Sequence, residues 1–139
     1  MCLCVDPEEG DPILFMHGIT PGWAMYMHFV EALAGNRTVI LIDLDAIKLE
    51  SLTFRMPIPN SFCVDVMDIL HRHQITKVSV VGHSFGSITS GWLVNRYPAV
   101  VSHLTLVDPV SLLLALPDVA FKFLYRYCSG CLYVCVCFM

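Results

Sequence analysis

The sequence predicts an α/β protein, a three-layer, doubly wound, mostly parallel sheet, and three observations carry that prediction. Four short apolar runs, Pro12-Ile-Leu-Phe-Met16, Thr38-Val-Ile-Leu-Ile42, Val78-Ser-Val-Val81 and His103-Leu-Thr-Leu-Val107, have the length of buried strands. The segments between them repeat apolar residues at helical spacing. Composition agrees: hydrophobic residues make up 56% of the 139-residue chain and charged ones 14%, against roughly 45–50% and 25% in an average soluble domain, which suits strands buried on both faces.

Taken in order, the first strand ends in His17-Gly-Ile-Thr-Pro-Gly22, a glycine- and proline-rich loop. A helix from Trp23 to Leu33 follows, with Met27, Val30 and Leu33 on one face and Gly35-Asn36 as its stop. The second strand ends at Asp43. Residues 44–60 lose periodicity and read as a loop punctuated by Pro57 and Pro59, after which Ser61 caps a helix over Phe62–His73 with Phe62, Val66, Ile69 and Leu70 on its buried face. The third strand runs into a helix over Ser87–Tyr97, whose stripe is read as Ile88, Gly91, Trp92 and Asn95. Pro98 breaks it, and the fourth strand ends at Asp108-Pro109. Parallel strands with right-handed crossovers put His17, Asp43, Ser84 and Asp108 along one rim, where ligands bind in such sheets.

The third strand and its helix meet at Gly82-His-Ser-Phe-Gly86, a G-x-S-x-G turn. In a nucleophile elbow the serine is held in a strained conformation with its hydroxyl above the sheet, and side chains at Gly82 or Gly86 would collide as strand and helix close together.

Other chemistry is thinly represented. Eight Lys and Arg against twelve Asp and Glu give a net charge of −4, so no basic stripe exists for nucleic acid. The N-terminus lacks a basic start and an apolar run of signal length, and a cytoplasmic location is the default expectation. The most apolar region, Leu104–Phe123, is interrupted by Asp108, Pro109, Pro117 and Asp118, so membrane insertion is not expected. Seven cysteines form an odd set without a secretion signal, which argues against a disulfide framework. Cys128, Cys131, Cys135 and Cys137 lack the second, separated knuckle of a zinc site; neither metal nor cofactor is expected.

His17-Gly18 after the first strand, the Ser84 elbow, and Leu106-Val-Asp-Pro109 after the fourth strand together resemble the α/β-hydrolase family, over roughly Gly10 to Arg126. The resemblance implies a partial α/β-hydrolase domain over 10–126, its four strands matching the family's third to sixth, and an unrelated Cys-rich tail over 127–139. It implies Ser84 as nucleophile, the backbone N–H groups of Ile19 and Phe85 as oxyanion hole, and Asp108 as a candidate acid. Gly82, Gly86, His17, Gly18 and His83 would support the site, His17 by shaping the loop.

The family's triad ends in a histidine well after the elbow, and His103, the one histidine after Ser84, starts the fourth strand on the opposite rim. His28, His71 and His73 read as surface residues. The expectation is a truncated serine hydrolase for an ester, thioester or lipid-like substrate, inactive or weakly active in this form. The alternative is a non-catalytic binding or interaction protein whose two open sheet edges invite pairing with a partner chain or with a copy of itself.

Overall fold

Side chains alternate along a strand, so a strand buried on both faces feeds two cores at once. The computed structural model describes residues 2–3, 10–21, 23–44, 57–113 and 135–138, and shows this directly. Residues 45–56 of the expected loop, the apolar run beyond Leu113 and the cysteines Cys128 and Cys131 lie outside the described residues.

The strands are β1 (Cys2–Leu3), β2 (Ile13–Met16), β3 (Val39–Ile42), β4 (Val78–His83), β5 (Val101–Val107) and β6 (Cys135–Phe138). The four expected ones run parallel in the order β3-β2-β4-β5. The described helices are α1 (Met27–Ala34), entered through a 3-10 turn at Trp23–Tyr26, then α2 (Pro59–Arg72), α3 (Gly86–Arg96) and the short α4 (Val110–Leu113). Even-numbered residues Leu14, Met16, Ile40, Ile42, Val78 and Val80 pack under α2 and α3, against Phe62, Val66, Leu70 and Leu93. Odd-numbered Ile13, Phe15, Val39, Leu41 and Val81 pack under α1, against Val30 and beside Tyr26 and Leu33. These are the three layers.

Three details depart from the sequence expectation. Helix α2 begins at Pro59 rather than after Ser61: proline's fixed φ suits the first helical position, and Ser61 Oγ instead donates to the Ile58 carbonyl at 3.1 Å. On α3 the buried stripe is Gly86, Ser87, Thr89, Ser90 and Leu93, with Gly91 and Asn95 exposed and Ile88 and Trp92 partly buried. Small residues win that face because the helix lies close to the sheet, and their hydroxyls turn back onto the backbone: Ser90 Oγ to Gly86 O at 2.7 Å, Thr89 Oγ1 to the same oxygen at 3.1 Å. Finally, the edges expected to be open carry short antiparallel strands, β1 on β3 and β6 on β5. Cys135-Val-Cys-Phe138 alternates β-prone residues, which is why it can pair.

Register fixes the functional rim. Met16 stands beside both Ile42 and Gly82, and His83 beside Val107, so the chain leaves the sheet side by side at His17, Asp43, Ser84 and Asp108.

Candidate active site

Ser84 has φ 51°, a left-handed conformation rarely held by a residue with a side chain. Neighbouring backbone over-determines it. Ser84 N–H donates to Val107 O at 3.0 Å, and Ser84 O accepts both Ser87 N–H at 3.0 Å and Ser87 Oγ–H at 2.7 Å. Both glycines of the turn are sterically required. A Cβ on Gly86 would overlap the Met16 carbonyl, with its carbon at 2.7 Å, and one on Gly82 would stand 2.7 Å from Gly86 O and against Ser90 Oγ. No smaller change than a hydrogen for a methyl separates closure from clash.

Gly18 lies across the turn. A Cβ there would be 2.9 Å from Ser84 Cβ, 3.1 Å from His83 Nδ1 and 3.1 Å from the Tyr26 hydroxyl. The loop after β2 therefore rests on the elbow, bringing Gly18, Ile19, His83, Ser84 and Phe85 together. The N–H groups of Ile19 and Phe85 donate to no acceptor among the described residues, while Gly18 N–H is already used, donating to Tyr26 Oη at 3.1 Å.

The histidines divide by position. His17 is wholly buried; Leu44 N–H donates to its Nε2 at 3.1 Å, so Nδ1 carries the proton and donates to Gly18 O at 2.7 Å. With Nε2 already an acceptor, the approach of Asp43 Oδ1 to it at 3.5 Å is a packing contact rather than an ion pair. His83 is partly buried. Its Nδ1 meets the Tyr26 hydroxyl at 2.9 Å and its Nε2 faces Asp108 Oδ2 at 3.9 Å. Burial lowers the pKa of His83, and Asp108 partly offsets that; burial likewise raises Tyr26, against the Gly18 N–H and Thr20. His103 pairs with Ser79, five positions below Ser84, so about 16 Å of strand separates it from the elbow. His28, His71 and His73 are exposed on helices or their ends. No described residue hydrogen bonds to Ser84 Oγ.

Asp108, with φ 46°, repeats the left-handed exit of Ser84 one strand over, and its carboxylate is directed to His83. Tyr26 is the participant that sequence reasoning missed. Nothing in its spacing marks it, because it reaches the loop only through the 3-10 turn and the stacking of its ring edge-on to Phe15 at 5.1 Å. A cleft of about 470 Å³ lies elsewhere, on the α1 face near the opposite rim, where Asp11, Arg37, His103 and Thr105 line it. It shares no residue with the elbow. Among the described residues no helix is long and apolar enough to cross a membrane.

Comparison with known proteins bears on the fold. The family model of the alpha/beta hydrolase fold matches residues 11–127. An abhydrolase domain-containing protein of Caenorhabditis elegans is 28% identical over 102 residues, covering 70% of this chain and 23% of its own length. A probable alcohol acetyltransferase of Cyberlindnera fabianii is 27% identical over 85 residues, covering 60% of this chain and 22% of its own. The crystal structure of a probable hydrolytic enzyme from Pseudomonas aeruginosa superposes with a TM-score of 0.64 at 26% identity, over 78% of this chain and 36% of that one. The chain thus spans less than a quarter of the length of these two curated relatives.

Proposed function

The chain belongs to the alpha/beta hydrolase fold family, and from that premise we propose that Ser84 is the nucleophile of a serine hydrolase acting on a small ester, thioester or lipid-like substrate. The observation that carries the reading is the left-handed φ of Ser84 between two glycines that admit no side chain. Such a conformation costs about 1–3 kcal/mol, and what it gives in return is a hydroxyl raised at the sheet's end. Ser84 Oγ attacks the acyl carbon as its proton passes to water, no histidine being in reach, the carbonyl oxygen takes the negative charge, and the N–H groups of Ile19 and Phe85 hold it. Collapse expels the alcohol or thiol, and water then releases the acid. Asp108 is the candidate acid. A serine at the elbow, where epoxide and haloalkane hydrolases need a carboxylate, favours acyl chemistry.

In this reading the chain is inactive or weakly active, because no histidine reaches Ser84 Oγ; an oxyanion hole and binding alone retain about 10³-fold over water. Turnover of p-nitrophenyl butyrate by the purified chain is expected to be slow, and slower again by at least about tenfold in Ser84→Ala. Equal turnover by the two proteins would sink the nucleophile assignment.

A second reading, a non-catalytic binding or interaction protein on the same scaffold, is favoured by one observation. All six histidines lie among the described residues; of the two nearest the elbow, His17 has both ring nitrogens and His83 its Nδ1 in hydrogen bonds to other groups, and His83 Nε2 faces Asp108 at 3.9 Å. No turnover above the uncatalysed rate, by the wild type or by Ser84→Ala, together with retained binding of the ester would support it.

A further inference from the structure

His83 and Asp108 stand beside Ser84, yet their contacts lead away from it. The path runs from Asp108 Oδ2 to His83 Nε2 at 3.9 Å, from His83 Nδ1 to the Tyr26 hydroxyl at 2.9 Å, and from Tyr26 Oη to Gly18 N–H at 3.1 Å. Proton counting sets its direction. Tyr26 Oη accepts from Gly18 N–H, so its own hydrogen is available to His83 Nδ1, which leaves the imidazole proton on Nε2, facing the carboxylate. Gly18, Tyr26 and His83 Nδ1 then meet partners of the opposite kind, while His83 Nε2 faces Asp108 at 3.9 Å, beyond hydrogen-bond reach.

The far end of this path is the loop that carries Ile19. Two consecutive peptides there are gripped from two sides. The His17–Gly18 peptide is held through its N–H by Tyr26, and the Gly18–Ile19 peptide through its carbonyl by His17 Nδ1–H at 2.7 Å. A trans peptide points its N–H opposite to its C=O, so fixing Gly18 O toward the His17 ring turns Ile19 N–H away from that ring. Gly18 itself lies against Ser84 Cβ.

We infer that Tyr26 and His83 are positioning residues for the oxyanion loop, with Tyr26 and His17 together fixing the orientation of the Ile19 N–H beside Ser84. His83, expected from the sequence only to support the site, acts through Tyr26 on the loop. The inference rests on the reading of Ser84 as nucleophile for its catalytic consequence, though the clamp itself is a property of the folded loop. Preorganised donors matter because a hydrogen-bond donor to a developing oxyanion is worth about 10²–10³ in rate, and only a fixed one delivers it.

The test compares the full chain with Tyr26→Phe, His83→Ala and His83→Asn by amide hydrogen exchange at Gly18, using Val80 in β4 as internal reference, and by the rate at which a fluorophosphonate labels Ser84. Tyr26→Phe removes one hydroxyl and leaves the ring packing, so Gly18 should exchange about tenfold faster while Val80 is unchanged. His83→Ala should loosen Gly18 in the same sense. Asn places an acceptor where Nδ1 stands, so His83→Asn should restore slow exchange and, with it, the labelling rate. Gly18 exchange unchanged in Tyr26→Phe, or His83→Asn behaving like His83→Ala, would overturn the inference. If the wild-type chain takes no label even with added imidazole, the nucleophile reading fails, and Gly18 exchange still decides whether the clamp exists.

Discussion

At the scale of single residues, His83 ties the chain's chemistry to pH. Burial holds its pKa below the ordinary 6.5, with Asp108 only partly opposing. The unfolded chain therefore takes up a proton near pH 6.5 that the folded chain resists, and between 6.5 and the lowered folded value the unfolded state binds more protons. Stability is full above that window and is lost as pH falls through it. Urea midpoints at about pH 8 and about pH 5.5 should differ more in the wild type than in His83→Asn; an equal drop in both would contradict the assignment. Much of this neighbourhood was legible in the sequence. Gly82, Ser84 and Gly86 are fixed in type by the turn, and His17-Gly18 by its place after β2. Tyr26 was not legible, because its part depends on a hydroxyl reaching across from a different layer, a contact to which no periodicity points.

At the scale of elements, α3 shows both why the strand-turn-helix could be read and where the reading slipped. Its position follows from the glycines, but its buried face does not follow from hydropathy: Ser87, Thr89 and Ser90 hide their hydroxyls in backbone hydrogen bonds and so pass as apolar inside the fold. Close packing has a measurable signature in the two glycines of this helix. Gly86→Ala would drive a methyl into the Met16 carbonyl and should cost about 3 kcal/mol, whereas Gly91, with nothing within 4 Å of its would-be Cβ, should gain roughly 0.5–1 kcal/mol as alanine. Opposite shifts in urea midpoint are expected, and a neutral Gly86→Ala would mean that α3 does not approach β2 as described. Helix α2 teaches a similar lesson at its start, where Pro59 and not a side-chain cap sets the boundary.

At the scale of the whole molecule, the four parallel strands and their order were legible because each is a short apolar run bounded by turn residues. The two antiparallel additions were not: two residues at β1 and four in a cysteine-rich stretch at β6 are too short to stand out from their surroundings. Among the described residues, α2 and α3 cover one face and α1 the other, and Ile19, Met25 and Ile58 are more than half exposed. Apolar surface of this kind, beside short edge strands, should make the chain marginally stable and prone to self-association. Light scattering across the micromolar range is expected to show mass rising with concentration; a monomer that melts cooperatively would contradict that expectation.

The central claim is that the fold presents Ser84 as a nucleophile without bringing it a base. The most direct measurement is the rate at which a fluorophosphonate labels Ser84, with and without added imidazole, and with Ser84→Ala as control. The account predicts slow labelling of the wild type, acceleration by imidazole acting as the missing base, and none in Ser84→Ala. Rapid labelling indifferent to imidazole would show that a base already reaches Ser84, and a folded chain that takes no Ser84-dependent label even with imidazole would show that the serine is no nucleophile.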